Sequence, residues 1–519
     1  MEPSCIRHTE LPGTSRLFAD FSYHFERVAR FYRHNPHDPG SFAIAAGEID
    51  YPDHRRAAIV RALRSQNGES ESLRRLSEPG TVAVVTGQQV GLFGGPAYTI
   101  YKALTAVRIA QDLSAQGISA VPVFWLASED HDFPEVSLAW SFNDSHHPIR
   151  LQVDAPEDAR GSSRPVGGIP LGAPPTGELQ RSLSGFPYGE EVSALVEKAY
   201  PPGATMADGF RTLLQSLLPN AGLLFLNPLD PSIRAISAPL VAEALSAAPE
   251  LKARLLERNR ELTSVGYHAQ VHLEPKTSLF FMLENGERVP LRLKDAEFAT
   301  LRDRASEVSP NALLRPVMQD YLLPTVAYVG GPAELAYLAQ SRVIYDRLLG
   351  RMPVVLSRCG FTLLDARADK LLKRYHLRFT DVLTYEESLQ QSLAHSLIPK
   401  GIEHCFDDAS SEIEGKLQGL SGEITRFDPT LAAALQKSKA KVLYQLGKIR
   451  NKTALEALRR NAHAAADAQF LHHLIYPHRH LQERFYSILP FLAQHGLGLV
   501  DQLLSATGQD CPDHRILTI

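Results

Sequence analysis

The sequence predicts an α/β protein, with a parallel-sheet core, two long insertions in it and a helical hairpin after it. Three observations lead there. Apolar, β-branched runs recur at 81–86, 120–128, 222–228, 324–332 and 352–360, and such runs are strands buried on both faces of a sheet. The first two enclose a helical pattern, so 81–128 is one strand–helix–strand unit with parallel strands. From about 367 the apolar positions fall into heptad spacing.

The elements follow in order. "TVAVVT" is the first buried strand, and "TGQQVGLFGGPAYT" at 86–99 is a pliable polar loop after it. In "PAYTIYKALTAVRIAQDLSAQG" Ile100, Leu104 and Val107 recur at helical spacing and Gly117 closes the helix. "AVPVFWLAS" is the second strand. The stretch 143–205 is loop-rich, with "EDARGSSRPVGGIPLGAPPTG", and 230–320 carries helices and the short strand candidates "AQVHLE" and "SLFFML". Loops of such length without structure of their own are uncommon, so both read as insertions in one sheet domain, 1–366. In the helical domain, 367–471, Ile413, Leu417, Leu420, Ile424 and Phe427 step by four and three. Asp428 suits an N-cap and Pro429 the first helical position. A second helix is expected over 430–470, about 60 Å long at 1.5 Å per residue, with Leu435, Val442 and Ile449 seven apart and Glu456 breaking the stripe. An antiparallel hairpin and an intermolecular coiled coil both fit. The segment 472–519, rich in aromatic and basic residues around "YPHRHLQERFYSILPFLAQHG", is expected to return to the core, and "HHLIYPHRH" reads as a surface or stacking segment.

Composition narrows the function. Of 519 residues 44% are apolar and 22% charged, the balance of a globular protein with a sizeable core. The net charge of -4 does not favour nucleic acid. No apolar run reaches the ~18–20 residues of a membrane span, and "MEPSCIRHTELPG" lacks the charged and apolar regions of a signal peptide, so a cytoplasmic location is expected. Cys5, Cys359, Cys405 and Cys511 lie far apart in sequence without a CxxC pair, which argues against a disulfide framework or structural zinc. Cys359, after a buried strand, reads as a core residue rather than a nucleophile.

In open parallel sheets ligands bind at the carboxyl ends of strands. The loop starting at Thr86 and Gly87 is one such end and "SEDHD" at 128–132 another, so the two are expected to face across one crevice. The tetrad "GGPA" stands at 94–97 and again at 330–333, each time between a strand and a helix. Helix amides at Gly95 and Gly331 are expected to hold anions, with Tyr98, Thr99 and Lys102 adding donors; the alternative is a tight turn only. Neither GxxxxGK[ST] nor GxGxxG is present. Glu129, Asp130, His131 and Asp132 suit acid–base work, an amine or Mg²⁺, or a solvated turn, and His131 has no companion at zinc-ligand spacing. Arg315, before the strand at 324–332, is placed to reach the crevice, and Ser357 and Arg358 end another strand on the ligand edge.

Four stretches carry a resemblance: "VVTGQQVGLFGGPAYTIYKALTAVRIA", "PVFWLASEDHDFPEV", "RPVMQDYLLPTVAYVGGPAELAYLAQ" and "LQERFYSILPFL". In this order, and over nearly the whole chain, the sequence resembles the BshC family, the cysteine-adding enzymes of bacillithiol biosynthesis. "SRCGFTLLD" departs from the family pattern at Cys359 and Gly360. The resemblance implies a Rossmann-type core with two connecting segments, like class I synthetases and related nucleotidyltransferases, and a coiled coil that forms a homodimer. It implies a ligase joining L-cysteine to glucosaminyl-malate, and an adenine nucleotide, ATP or ADP, bound away from the core crevice. Carried over, Gln88, Gly94, Gly95, Tyr98, Thr99 and Lys102 form one side of the crevice and Glu129, Asp130, His131 and Asp132 the other. Gly330, Gly331, Glu334 and Tyr337 close it, and Ser357, Arg358, Tyr476, Gln482 and Arg484 are assigned to the nucleotide. Asp130 or Asp132 is expected to bind an ammonium group, His131 to deprotonate the attacking amine, and Lys102 to take part in catalysis. No HIGH or KMSKS-like motif is present. Two rival readings are an ATP-dependent synthetase with another amine acceptor and a non-catalytic nucleotide-binding coiled-coil partner.

Overall fold

Along Val82–Gln89 side chains alternate between two cores: Val82 and Val84 join one buried cluster, Ala83 and Val85 the other. A strand alternates its side chains across the sheet, so one buried on both faces must be apolar at every position. This strand, β1, lies at the centre of a sheet in a computed structural model of the chain, which describes residues 4–274, 277–291, 295–508 and 511–519. The first three residues of the opening stretch lie outside the described residues. The other strands are β2, Ala120–Ala127; β3, Leu224–Leu226; β4, Thr325–Gly330; and β5, Val354–Ser357. All pair parallel, in the order β5-β4-β1-β2-β3. Read from the other edge this is the 3-2-1-4-5 order of a doubly wound sheet, whose switch point falls between β1 and β4.

β1 outruns its apolar stretch, with Gln88 and Gln89 paired to Leu126 and Ala127 of β2. Helix α1, Tyr98–Ala115, buries Ile100, Leu104 and Val107, and Gly117 follows its end at φ +89°. Helix α2, Pro332–Leu348, follows β4.

The insertions have structure of their own. Between β2 and β3 an antiparallel pair, Leu138–Phe142 with Pro148–Gln152, precedes three helices. Between β3 and β4 two helices precede a three-stranded antiparallel sheet that includes Phe280–Glu284, where "SLFFML" predicted a strand. "AQVHLE" is not a strand. Its Val271 bonds through both backbone groups to the side-chain amide of Gln340, which stands in for a neighbouring strand.

The chain divides into two units. The first contains 1–362 and 483–517, the second 363–482 and 518–519. The excursion thus starts after Thr362 and ends at Gln482, against expected limits of 367 and 471. In the second unit α3, Lys400–Phe427, and α4, Pro429–Arg460, form an antiparallel hairpin. Lys439 faces Glu414 at 3.4 Å and Arg450 faces Glu403 and Asp407, pairings that fix the register. Asp428 accepts from the Thr430 amide at 2.8 Å, and Pro429 follows it as the first helical residue. The single helix expected over 430–470 is broken at Asn461, whose backbone (φ -109°, ψ 87°) separates α4 from α5, Ala462–Ile475. Asn is a poor helix-interior residue because its amide competes for backbone groups. Ile413, Leu417, Ile424 and Leu435 are half-buried in the hairpin, while Leu420, Phe427, Val442 and Ile449 are exposed. No helix among the described residues is long and apolar enough to cross a membrane.

At Gly87 the two central strands approach so closely that a Cβ would lie 2.8 Å from the Trp125 carbonyl oxygen and 2.9 Å from its Cβ. Gly87→Ala therefore forces backbone apart, and overpacking of this kind costs about 1–3 kcal/mol. Thermal unfolding followed by circular dichroism is expected to show a lowered midpoint with unchanged native helicity.

Candidate active site

The switch point opens a cavity of about 310 Å³ at the carboxyl ends of β1 and β4. Its walls include Gln88, Gln89, Tyr98, Lys102, Asp130, Glu135, Arg315, Gly331, Glu334, Tyr337, Arg358 and Arg484.

Lys102, on the second turn of α1, is fully buried. Its ammonium donates to the Gly87 carbonyl, to Gln88 Oε1 at 3.2 Å and to Glu334 Oε2 at 2.5 Å. Glu334 also accepts from the Gly331 amide (2.7 Å), Tyr328 Oη (2.7 Å) and Tyr337 Oη (3.3 Å). Burial pushes the Glu334 carboxyl up, but Lys102 and the Gly331 amide outweigh it and leave the carboxyl below its usual range. Burial lowers the Lys102 pKa, and Glu334 offsets only part of that. Arg315 donates to Tyr337 Oη at 2.6 Å. Arg358 and Arg484 lie 5.2 and 5.9 Å from the Tyr98 ring centre, and Gln88 Nε2 donates to the Tyr98 hydroxyl at 3.1 Å. Arg358 forms a buried fork with Glu483, at 2.8 and 2.6 Å. Among the described residues Arg315 and Arg484 form no ion pair with a carboxylate.

The lining also carries Asp130 and Glu135. Gln89 Nε2 donates to Asp130 Oδ2 at 2.7 Å and to Glu135 Oε2 at 2.8 Å, which draws both carboxylates to one place. The crevice thus holds both signs of charge: guanidinium groups and, besides Glu334, two carboxylates gathered by Gln89. A molecule carrying both an amine and carboxylates is complementary to it.

This geometry decides which expected site residues meet. Gln88, Tyr98, Lys102, Asp130, Arg315, Gly331, Glu334 and Tyr337 line one cavity; Gly94, Gly95, Thr99, Gly330, Glu129, His131 and Asp132 do not. The two GGPA junctions do different work. Gly94 and Gly95 take φ of +84° and +67° in a tight turn, and their amides bond to Gly91 and Leu92. The Ala97 amide is taken by the Tyr486 carbonyl at 2.7 Å, and Thr99 is buried. At the second junction Gly330 is buried in its strand and the Gly331 amide is filled by Glu334. The expected bare amides at Gly95 and Gly331 are therefore engaged within the protein.

The acidic tetrad also splits. Glu129 is buried and paired with Arg234 at 2.7 Å; burial lifts its pKa despite Arg234 and Arg288. His131 Nδ1 accepts from Arg288 at 3.2 Å. Asp132 caps the short helix Phe133–Val136 through the Glu135 amide. Of the expected nucleotide residues, Ser357, Arg358 and Arg484 belong to the first unit and Tyr476 and Gln482 to the second. The Gln482 amide is spent on the backbone of Leu363 and Leu474. Arg358 and Arg484 stand in the crevice itself.

Sequence reasoning missed Gln89 and Glu135. Gln89 lies in the glycine-rich stretch, but its role depends on β1 continuing through it; Glu135 sits beyond the tetrad, on the helix that Asp132 caps.

Residues 1–359 match the family described as "Bacillithiol biosynthesis BshC, N-terminal Rossmann-like domain", and residues 361–519 match "Bacillithiol biosynthesis BshC, C-terminal coiled-coil domain". The chain belongs to the BshC family. Similar proteins include ones from Solibacter usitatus, 49% identical with all of both chains covered, and Koribacter versatilis, 35% identical with all of both covered. Another, from Salinibacter ruber, is 32% identical over 97% of this chain and 96% of its own. All three bear the name "Putative cysteine ligase BshC". The Rossmann-like and coiled-coil parts of the BshC family correspond to the parallel sheet and the helical hairpin described above.

The Arg358–Glu483 fork sets an acid limit on this BshC-family fold. Burial pushes Glu483 up, but Arg358 and the Phe361 amide bring it down to about 2 from an ordinary 4.5. Because the folded pKa is the lower, the folded state binds fewer protons, and the stabilisation is present above pH 4.5 and lost as pH falls toward 2. Buried His514, held down to about 4 by burial and partly offset by Glu483, adds a loss between 6.5 and 4. At about 1.4 kcal/mol per pKa unit the Glu483 share is on the order of 3 kcal/mol. Glu483→Gln is expected to lower stability at neutral pH, since Arg358 stays buried without its counter-charge. It is also expected to flatten the decline of urea-unfolding stability between pH 4.5 and 2.

Proposed function

We propose that the chain is a cysteine ligase that joins the carboxyl of L-cysteine to the amine of glucosaminyl-malate, giving bacillithiol. Membership of the BshC family supports the reaction class, and the crevice with both signs of charge is the observation that carries the substrate. Arg315 and Arg484, crevice cations with no carboxylate ion pair among the described residues, face the malate carboxylates. Asp130 and Glu135, drawn together by Gln89, face the amine. They orient it as the ammonium and accept a proton as it turns nucleophile. Lys102 acts as a positioning residue, because each of its protons already has an acceptor and its role is to hold Gln88 and Glu334. His131 and Asp132 are left out of the chemistry.

A carboxylate is a poor electrophile, so the ligation needs activation, and an adenine nucleotide with Mg²⁺ is the group we propose. The five residues expected to hold it do not fit that task as a set: Gln482 has no free amide atom, and Arg358 is engaged by Glu483. Of the five, Arg484 serves the malate carboxylates instead, and none holds the nucleotide. We further propose a cytoplasmic homodimer. Its contact would include the exposed apolar residues Leu420, Val442 and Ile449 of the hairpin, of the kind helices bury against a partner.

The test is expression in a host lacking its own last-step enzyme, with thiols labelled and identified by mass. Bacillithiol formed at the expense of glucosaminyl-malate is the expected result; accumulation of glucosaminyl-malate beside soluble protein would overturn the reading. Losing one charged contact costs about 1.5–3 kcal/mol, so Asp130→Asn is expected to lower kcat/KM by about 10- to 150-fold. Arg484→Met should act mainly by raising KM for glucosaminyl-malate, and His131→Ala should stay near the parent rate. For the dimer, Val442→Glu with Ile449→Glu is expected to shift the sedimentation coefficient toward the monomer without changing the far-ultraviolet spectrum.

A further inference from the structure

Two of the four cysteines, 506 residues apart in sequence, meet in space: Cys5 Sγ and Cys511 Sγ lie 2.9 Å apart. Cys5 sits on the short strand Ser4–Ile6, which pairs with His514–Thr518, and Cys511 lies just before that second strand. The pairing of Cys5 with Arg515 holds the two thiols in register. Arg515 donates to the Cys511 carbonyl at 3.3 Å. Cys511 also lines a second cavity of about 370 Å³, with walls that include Phe21, Phe42, Leu113, His37 and Arg108. Cys5 is exposed.

We propose that Cys5 and Cys511 form a thiol–disulfide exchange site whose oxidant is a low-molecular-weight disulfide. Disulfides in reducing compartments are transient, catalytic or redox-sensing, and this pair has what such a site needs: two adjacent thiols, one open to solvent and one facing a cavity large enough for half of a small disulfide. In the first step the Cys511 thiolate attacks one sulfur of the oxidant. A mixed disulfide forms on Cys511, and the expelled thiolate takes a proton from water. In the second, the Cys5 thiolate attacks the Cys511 sulfur, closing the protein disulfide and releasing the second small thiol. Two protein thiols are oxidised and one small disulfide is reduced to two thiols.

The order follows from the surroundings. Burial, the hydrogen bond to Cys511 and the Cys511 charge together push the Cys5 thiol up to about 11, so it is the poorer first attacker. Once Cys511 is capped, the last two of those effects are gone; burial and Asp513 still raise the Cys5 thiol, and Arg515 favours its thiolate. The site stands on this geometry and does not depend on the ligase reading. If the chain makes a low-molecular-weight thiol, the disulfide of its own product belongs to the class of oxidant it would meet.

The experiment uses the full chain and glutathione disulfide, followed by alkylation with N-ethylmaleimide, intact mass and peptide mapping. The expected result is loss of two of the four alkylatable thiols, a Cys5–Cys511 cross-linked peptide, no retained glutathione, and full reversal by dithiothreitol. Cys5→Ser is expected to trap a glutathione adduct on Cys511. Four alkylated thiols after incubation, a cross-link through Cys359 or Cys405, or a stable glutathione adduct on the parent protein would each overturn the proposal. These readouts need no ligase activity, so failure here is separate from failure of the proposed function.

Discussion

Lys102 and Glu334 hold the crevice together. Lys102 stands on the helix after β1 and Glu334 on the helix after β4, the two strands between which the doubly wound sheet reverses direction. At such a point the flanking helices run to opposite faces and leave a gap. The pair spans it: the lysine gathers the end of β1 through Gly87 and Gln88, and the carboxylate gathers the start of α2 through the Gly331 amide. A buried ion pair contributes little unless its remaining lone pairs and protons are satisfied. Here Tyr328 and Tyr337 complete the carboxylate, and Tyr337 passes the order on to Arg315. The positions of Gln88, Arg315 and the second glycine junction all depend on that one contact.

The strands and their parallel pairing were legible because a strand buried on both faces has no choice of residue type. The Asp428–Pro429 cap was legible because capping is local chemistry. What stayed hidden depended on partners distant in sequence. The repeated GGPA promised two anion cradles, yet Tyr486 takes the Ala97 amide at the first and Glu334 takes the Gly331 amide at the second. Neither partner can be read from the tetrad. The dense "EDHD" looked like one functional unit, but consecutive residues at a strand end point in different directions. Only Asp130 turns to the crevice, while Glu129 goes to Arg234, His131 to Arg288 and Asp132 to a helix cap.

The same limit explains the residues assigned to the nucleotide. Arg358 and Arg484 carry charge and follow or precede apolar segments, which is all that sequence can say of them. Their meeting over Tyr98 brings positions 98, 358 and 484 together. The cysteines are a further case: by spacing they formed no pair, but a strand pairing that joins the two ends of the chain sets two of them side by side.

Arg358 belongs to the walls of the two cavities described above. It is one rigid, planar group with one carboxylate partner, so it cannot adjust to each cavity independently. A ligand that draws its guanidinium toward one side changes the shape and charge offered on the other. Binding free energies obey reciprocity, so whatever factor an occupant of the larger cavity imposes on crevice affinity, the crevice ligand imposes in return. A ligand that moves Arg358 is therefore felt in both spaces.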